Sequence, residues 1–299
     1  MTDHVRIVEV AARDGLQNEP GFVATADKAE LISRLADCGL RSIEATSFVS
    51  PKWVPQLADA EQLFALLPKV DGLRYPVLVP NLKGYERAVA CGVREVAVFA
   101  AASEAFSMRN INASIDESIA RFQPVLERAM EDGIAVRGYI STVLGCPYQG
   151  AVDTADVVRL ARTLKEMGCY EISLGDTIGV GTAHAARSLV KAVASEIPMQ
   201  AIAVHFHDTY GQALANVYAC LETGVRTVDA SVSGTGGCPY AKGASGNLAT
   251  EDLVYALHGM GFATGVDLAK LVETGAWLSH LLGQPSASKV NRALHHEKP

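Results

Sequence analysis

The sequence predicts a (β/α)8 barrel, and three observations carry the prediction: a helix–glycine–strand unit that recurs along the chain, eight strand-like runs in all, and polar residues gathered at the far ends of those runs. The recurring unit is plainest at four places. Cys38-Gly39-Leu40-Arg41 leads into Ser42-Ile43-Glu44-Ala45, and Cys91-Gly92-Val93-Arg94 leads into Glu95-Val96-Ala97-Val98-Phe99. Met167-Gly168-Cys169-Tyr170 leads into Glu171-Ile172-Ser173-Leu174, and Thr223-Gly224-Val225-Arg226 into Thr227-Val228-Asp229-Ala230. A glycine just past a helix takes the left-handed conformation without a Cβ clash, so each unit reads as helix, stop, strand.

The strand-like runs fall at residues 5–10, 42–48, 74–79, 95–101, 136–143, 171–175, 201–208 and 227–233. Between them lie amphipathic stretches at 25–38, 114–132, 154–167 and 183–196. In the first, Ala29, Leu31, Ile32, Leu35 and Ala36 share one face at helical spacing. Strands alternating with helices imply a parallel sheet with right-handed crossovers, and eight such units close a barrel. Past the eighth strand, 250–260 and 266–282 read as a helix pair. The expectation is one catalytic barrel over 1–299, with 250–299 as a C-terminal helical extension. A doubly wound open sheet is the rival, but it wants a glycine-rich turn after the first strand. This chain has Ala12-Arg13-Asp14-Gly15 there, and its Gly-x-Gly-Gly at 234–237 follows the last strand.

The polar residues at the strand ends then mark the site, because barrel enzymes build it from the loops after the strands. The first strand ends in Arg13-Asp14, the second carries Glu44, Thr46 and Ser47, and the sixth ends Ser173-Leu174-Gly175-Asp176-Thr177. The seventh ends His205-Phe206-His207-Asp208. Spaced i, i+2 on a strand, His205 and His207 leave from one face, opposite Val204 and Phe206. Two imidazoles on one face make half of a metal site. Barrel closure brings Asp14 near the seventh and eighth strands, and Asn247 follows the eighth. Asp14, His205, His207 and Asn247 with two waters would form an octahedral nitrogen–oxygen shell suited to a divalent metal, Mg2+ or Mn2+, though one that also admits Zn2+ or Co2+. Arg13 reads as a fixed cation beside a developing oxyanion. Glu44, if it faces inward, needs a partner, and Arg13 on the neighbouring strand is the obvious one. Cys238 stands in a loop with five glycines between 234 and 246, a composition that fits a lid, close to Lys242.

The bulk numbers exclude other classes. The 299 residues are 49% hydrophobic and 20% charged, and a net charge of -7 gives no reason to expect nucleic acid or an anionic membrane as partner. No apolar run approaches the roughly 20 residues that span a bilayer. The opening Met1-Thr2-Asp3-His4 carries no apolar signal-peptide core. Six cysteines, at 38, 91, 146, 169, 220 and 238, are scattered without a Cys-x-x-Cys pair, as expected of a reduced, cytoplasmic protein.

Three strings carry a resemblance: Arg13-Asp14-Gly15-Leu16-Gln17-Asn18-Glu19, His205-Phe206-His207-Asp208-Thr209, and Ser231-Val232-Ser233-Gly234 through Asn247. Together they resemble the 3-hydroxy-3-methylglutaryl-CoA lyases of the DRE-TIM metallolyase superfamily, over essentially the whole chain from Val5 to about Asn291. The first two strings are shared with isopropylmalate and homocitrate synthases, whereas Gly-Gly-Cys-Pro-Tyr-Ala-Lys-Gly-Ala-Ser-Gly-Asn is specific to the lyases. Thr235 departs from the pattern, where an apolar residue such as Leu is expected.

The resemblance implies metal ligands at Asp14, His205, His207 and Asn247, an oxyanion arginine at Arg13 and a loop cysteine at Cys238. Further active-site carboxylates fall on Glu44, Asp176 and Glu251, and substrate contacts on Arg13, Gln17, Ser47 and Lys242. It also implies an acyl-CoA substrate, a homodimer, and retro-Claisen cleavage of 3-hydroxy-3-methylglutaryl-CoA to acetyl-CoA and acetoacetate, as in leucine degradation and ketone-body formation. On that reading His205 takes the substrate hydroxyl proton, with Asp14 as the alternative, Cys238 reprotonates the enolate, and Lys242, Lys289 or Arg292 meets the CoA phosphates. A synthase running the carbon–carbon bond in the forward direction is the main rival, and a non-catalytic acyl-CoA-binding barrel a third reading.

Overall fold

Eight parallel strands alternate with helices in the computed structural model of the chain, which describes residues 3–237 and 246–295. The strands are β1 Arg6–Glu9, β2 Thr46–Ser47, β3 Val77–Leu78, β4 Glu95–Ala101, β5 Ala135–Ser141, β6 Glu171–Asp176, β7 Ile202–Phe206 and β8 Thr227–Ala230. Their order, β1-β8-β7-β6-β5-β4-β3-β2, is that of a sheet wound once around. The last seam is shut by Glu9 and Ile43: Glu9 N donates to Ser42 O at 2.9 Å, and Glu44 N donates to Glu9 O at 2.8 Å. That closure removes the open-sheet rival.

The helices are α1 Thr25–Asp37, α2 Ala60–Leu66, α3 Leu82–Ala90, α4 Glu104–Ile111, α5 Ile115–Asp132, α6 Thr154–Glu166, α7 Ala183–Val193, α8 Ala213–Leu221, α9 Thr250–Gly259, α10 Leu268–Leu282 and α11 Lys289–Leu294. Their boundaries follow local chemistry. The Ser114 hydroxyl accepts from Glu117 N and the Glu117 carboxylate accepts from Ser114 N, a reciprocal cap that starts α5. Gly39 follows α1 at φ 98, and a Cβ there would stand 2.1 Å from Gly265 O, so both its conformation and its packing demand glycine.

The strands are shorter than the sequence pattern suggests, for identifiable reasons. Between 74 and 79, Pro76 has no N–H to give, and the run divides into an isolated bridge at Arg74 and the short strand Val77–Leu78. The run expected over 136–143 stops at Ser141 because Thr142 turns to φ 62. The eighth run stops at Ala230. A 3-10 turn, Val232–Gly234, replaces its end, with Ser233 at φ 61.

The apolar core lies between strands and helices, where Val96, Val98, Ile172, Leu174, Val204, Phe206 and Val228 are buried. Inside the barrel the side chains are largely polar, apart from a small apolar cluster of Leu78, Ala97 and Tyr139. Past β8, α10 returns to α1, where Asp267 N donates to Cys38 O at 2.7 Å. Asp252 seats α11 by accepting from the Ser288 hydroxyl at 2.6 Å and from Val290 N at 2.8 Å. Among the described residues, Cys38, Cys91, Cys146, Cys169 and Cys220 are free thiols, and no helix is long and apolar enough to cross a membrane.

Candidate active site

The chain leaves β1 through a single π-helical turn, Ala11–Gly15, rather than a plain loop. Arg13 N and Gly15 N both turn back on Val10 O, at 3.2 and 3.1 Å, which tightens the turn and presents Arg13 and Asp14 side by side over the barrel mouth. Gly15 lies against β8's extension: a Cβ there would stand 2.6 Å from Thr235 Oγ1. Thr235, the position that departs from the family pattern, spends its hydroxyl on Ser231 Oγ at 2.6 Å and Val232 O at 3.1 Å. Its polarity is therefore satisfied within the turn.

Asp14 meets the two histidines there. His205 Nε2 and His207 Nε2 are 3.4 Å apart, and Asp14 Oδ2 is 3.8 Å from His205 Nε2. One ligand atom from each of the three lies within 4.8 Å of the others. Asn247 joins them twice, through a backbone bridge to His207 and through Nδ2, which donates to Asp14 Oδ2 at 2.9 Å. Its Nδ2 also reaches Thr235 O at 3.0 Å. So the strand period brings the histidines together, but the pairing of β1 with β8 and the β8 loop deliver Asp14 and Asn247.

The electrostatics favour a cation. Burial opposes charge on Asp14, yet Arg13, His205 and His207 outweigh it and hold the carboxyl well below the usual range. Burial, with His205 alongside, pulls His207 down to about 4, so its ring is neutral and keeps a lone pair to donate. His207 Nδ1 is buried with no hydrogen-bond partner among the described residues. Two imidazole nitrogens and a carboxylate, with the Asn247 side chain beside them, form a set that fits a divalent metal.

Around the cluster runs a closed circuit of buried charge. Arg13 Nε donates to Glu44 Oε2 at 2.8 Å, and Arg13 Nη1 to Asp14 Oδ1 at 2.5 Å. The Tyr139 hydroxyl donates to Glu44 Oε2 at 3.3 Å and accepts from Arg137 Nη1 at 2.7 Å. Arg137 also grips Asp229 with two nitrogens, at 2.7 and 3.0 Å, and Glu171 with Nε at 2.7 Å. Asp229 Oδ2 lies 3.3 Å from His205 Nδ1, which returns the circuit to the metal cluster. Arg6 closes on Glu171 from below. Every nitrogen of the Arg137 guanidinium is engaged, as a charge buried this deeply requires. Burial pushes the Glu44 carboxyl up against the pull of Arg13, and its Oε1 has no partner among the described residues.

The remaining expected residues divide. Asp176 lies within the field of His205, but its carboxylate accepts from Val180 N at 3.3 Å and Gly181 N at 2.8 Å and so shapes the loop after β6. Ser47 is buried on β2, its hydroxyl accepting from Val49 N, and Gln17 is half-buried beyond the π-turn. Glu251 stays outside the cluster: its carboxylate accepts from Ser233 N at 2.9 Å and Asn291 Nδ2 at 3.1 Å beneath the β8 turn. The Lys289 side chain is 72% exposed, with Nζ 3.9 Å from Asp208 just past β7, and Arg292 is exposed. Cys238 and Lys242 lie outside the described residues.

Sequence reasoning passed over Arg137, Tyr139 and Asp229. A signal was present: a charged residue in the middle of a short β-branched strand, as in Val136-Arg137-Gly138-Tyr139-Ile140, must face a partner inside the barrel.

Known proteins resemble this chain in both sequence and fold. Residues 4–278 match the model of the HMGL-like family. The 3-hydroxy-3-isohexenylglutaryl-CoA/hydroxy-methylglutaryl-CoA lyase of Pseudomonas aeruginosa is 58% identical over 290 residues, covering 97% of each chain. The crystal structure of hydroxymethylglutaryl-CoA lyase from Pseudomonas aeruginosa superposes with a TM-score of 0.96 at 57% identity, covering 98% of both chains. An HMG-CoA lyase from Acinetobacter baumannii, in complex with coenzyme A and 3-methylmalate, has a TM-score of 0.94 at 36% identity, covering 99% of this chain and 98% of that one.

Proposed function

This chain belongs to the HMGL-like family, and on that premise we propose that it is a metal-dependent carbon–carbon lyase that splits 3-hydroxy-3-methylglutaryl-CoA into acetyl-CoA and acetoacetate. The observation that carries the reading is the Asp14, His205 and His207 cluster with Arg13 fixed beside it by Glu44. A Mg2+ or Mn2+ ion bound by those three residues and Asn247 would polarise the substrate's tertiary hydroxyl and lower its pKa.

The protein's own groups supply the rest. His205 has both ring nitrogens engaged, Nε2 in the cluster and Nδ1 on Asp229, so we assign proton acceptance to Glu44 in its place. Burial has raised the Glu44 carboxyl and Oε1 is open to accept. As the hydroxyl proton leaves, the carbinol carbon becomes the ketone of acetoacetate. The breaking carbon–carbon bond gives its electron pair to the acetyl-CoA enolate. Arg13 faces the thioester oxygen where that charge gathers. The Cys238 thiol then delivers a proton to the enolate carbon, and Gln17, Ser47 and Lys242 hold the acyl chain and CoA.

We further place the protein as a homodimer in the cytoplasm, with residues 1–299 acting as one catalytic unit. Tyr218 on α8 and Tyr255 on α9 are exposed on neighbouring helices, an apolar surface that suits a second copy. The free cysteines suit a reducing compartment.

The direct test is incubation with Mg2+ and 3-hydroxy-3-methylglutaryl-CoA. Acetoacetate should appear and should cease with EDTA; no acetoacetate from the metal-replete protein would sink the assignment. A longer branched chain at carbon 3 is the second reading, motivated by the name of the Pseudomonas aeruginosa relative. A higher kcat/KM for the isohexenyl thioester than for the methyl one would decide in its favour.

A further inference from the structure

Both carboxylate oxygens of Asp229 are engaged, and its side chain is fully buried. Arg137 Nη2 donates to Oδ1 at 2.7 Å, while Arg137 Nη1 and Ser173 Oγ donate to Oδ2 at 3.0 and 2.8 Å. A carboxylate held by a two-pronged guanidinium stays ionised and offers only lone pairs. The fourth neighbour, His205 Nδ1 at 3.3 Å from Oδ2, must then carry a proton. In the neutral ring Nε2 consequently holds the lone pair, and Nε2 is the atom that faces His207 and Asp14. The opposite tautomer would set the Nδ1 lone pair against a carboxylate and turn an N–H toward the ligand cluster.

The two histidines are unequal in this respect. His207 Nδ1 is buried and has no partner among the described residues; the His207 backbone is steadied instead by its bridge to Asn247. Only His205 is fixed in both ring orientation and tautomer by a side chain.

We propose that Asp229, clamped by Arg137 and Ser173, is a positioning residue that locks His205 in the Nδ1–H tautomer and so keeps Nε2 as a metal ligand. The proposal rests on the four-ligand reading of the site. Asp229 touches neither substrate nor metal; it acts through the ring. Arg137 neutralises the charge that this would otherwise bury, and through Tyr139 the same guanidinium is tied to Glu44 and Arg13 on the far side of the mouth.

The experiment has two arms on the intact protein. In the first, Mn2+ binding is followed by the electron paramagnetic resonance of the free ion. Asp229→Asn, which replaces one acceptor oxygen with an amide, should weaken Mn2+ by roughly 10–100-fold, the usual cost of losing an outer partner of a ligating histidine. Asp229→Glu should recover part of that loss. Unchanged Mn2+ affinity in a folded Asp229→Asn protein overturns the proposal, even if its melting temperature falls, since that is the mark of a merely structural role.

The second arm needs no Asp229 variant. Wild-type protein labelled with 15N-histidine and saturated with Mg2+ should show His205 protonated at Nδ1 and not at Nε2, with the His205→Gln spectrum assigning the signal. A proton on Nε2 overturns the proposal. Wild-type protein that binds no Mn2+ at all defeats the metal reading itself, and so separates the two failures.

Discussion

His205 Nε2 and His207 Nε2 lie 3.4 Å apart at the barrel mouth, each from a ring with almost no exposure to water. They face one another rather than two separate partners, an arrangement that a shared cation completes. His207→Ala should therefore lose metal and acetoacetate production together, with the barrel still folded by circular dichroism. Stoichiometric metal in that variant would remove His207 from the ligand set.

Arg13→Gln should leave metal content unchanged and lower kcat by roughly 10^2–10^3-fold, the usual effect of deleting one donor to a developing oxyanion. Arg13 pairs with Glu44 and Asp14 but lies outside the ligand set, so metal loss on this substitution would overturn its role.

Glu44→Gln keeps the shape and the Arg13 contact but cannot accept a proton. If Glu44 is the base, kcat should fall by roughly 10^2–10^4-fold while substrate affinity changes little. A rate within a few-fold of wild type would return the role to Asp14.

Cys238→Ser should slow turnover less severely than either substitution, since a hydroxyl is a weaker acid than a thiol but water can substitute for it. Single-turnover release of acetoacetate ahead of acetyl-CoA protonation, followed by tritium uptake from solvent, separates the two steps. An unchanged rate would exclude Cys238.

Glu251 predicts a pH dependence of stability rather than of rate. Burial raises its carboxyl to about 8, from 4.5 when unfolded. Between those values the native state holds a proton that the unfolded chain releases, so stability should fall as pH rises from about 4.5 to about 8, then level off. Urea midpoints across this window should show the slope, and Glu251→Gln should flatten it. An equal slope in the variant would assign the effect elsewhere, with Glu9, raised to about 7, the next group to substitute.

Much of the barrel was legible in the chain because its signals are local. A glycine past a helix and alternation over four to seven residues depend on neighbours in sequence. The facing of His205 and His207 is of the same kind, since a strand repeats every two residues. What stayed hidden depended on pairings across the fold. The sequence offered Thr142 and Ser233 as strand residues, and tertiary contacts turned both to positive φ. Glu251, a site carboxylate by resemblance, accepts from Ser233 N and from Asn291 Nδ2, and only the return of α11 brings Asn291 within reach.

The sequence by itself determined the eight-unit plan, the strand that carries the two imidazoles and the residues with metal-binding chemistry. Tertiary structure alone decided which of them meet. Asp14 and Asn247 are far apart in the chain, and the pairing of β1 with β8, together with the Asn247 bridge to His207, is what lays one amide against the other's carboxylate at 2.9 Å. It also decided that Asp229, read as an ordinary strand residue, sits behind His205. Strand periodicity sets the direction in which a side chain leaves the backbone, whereas its partner is set by the curvature and register of strands that can be two hundred residues distant.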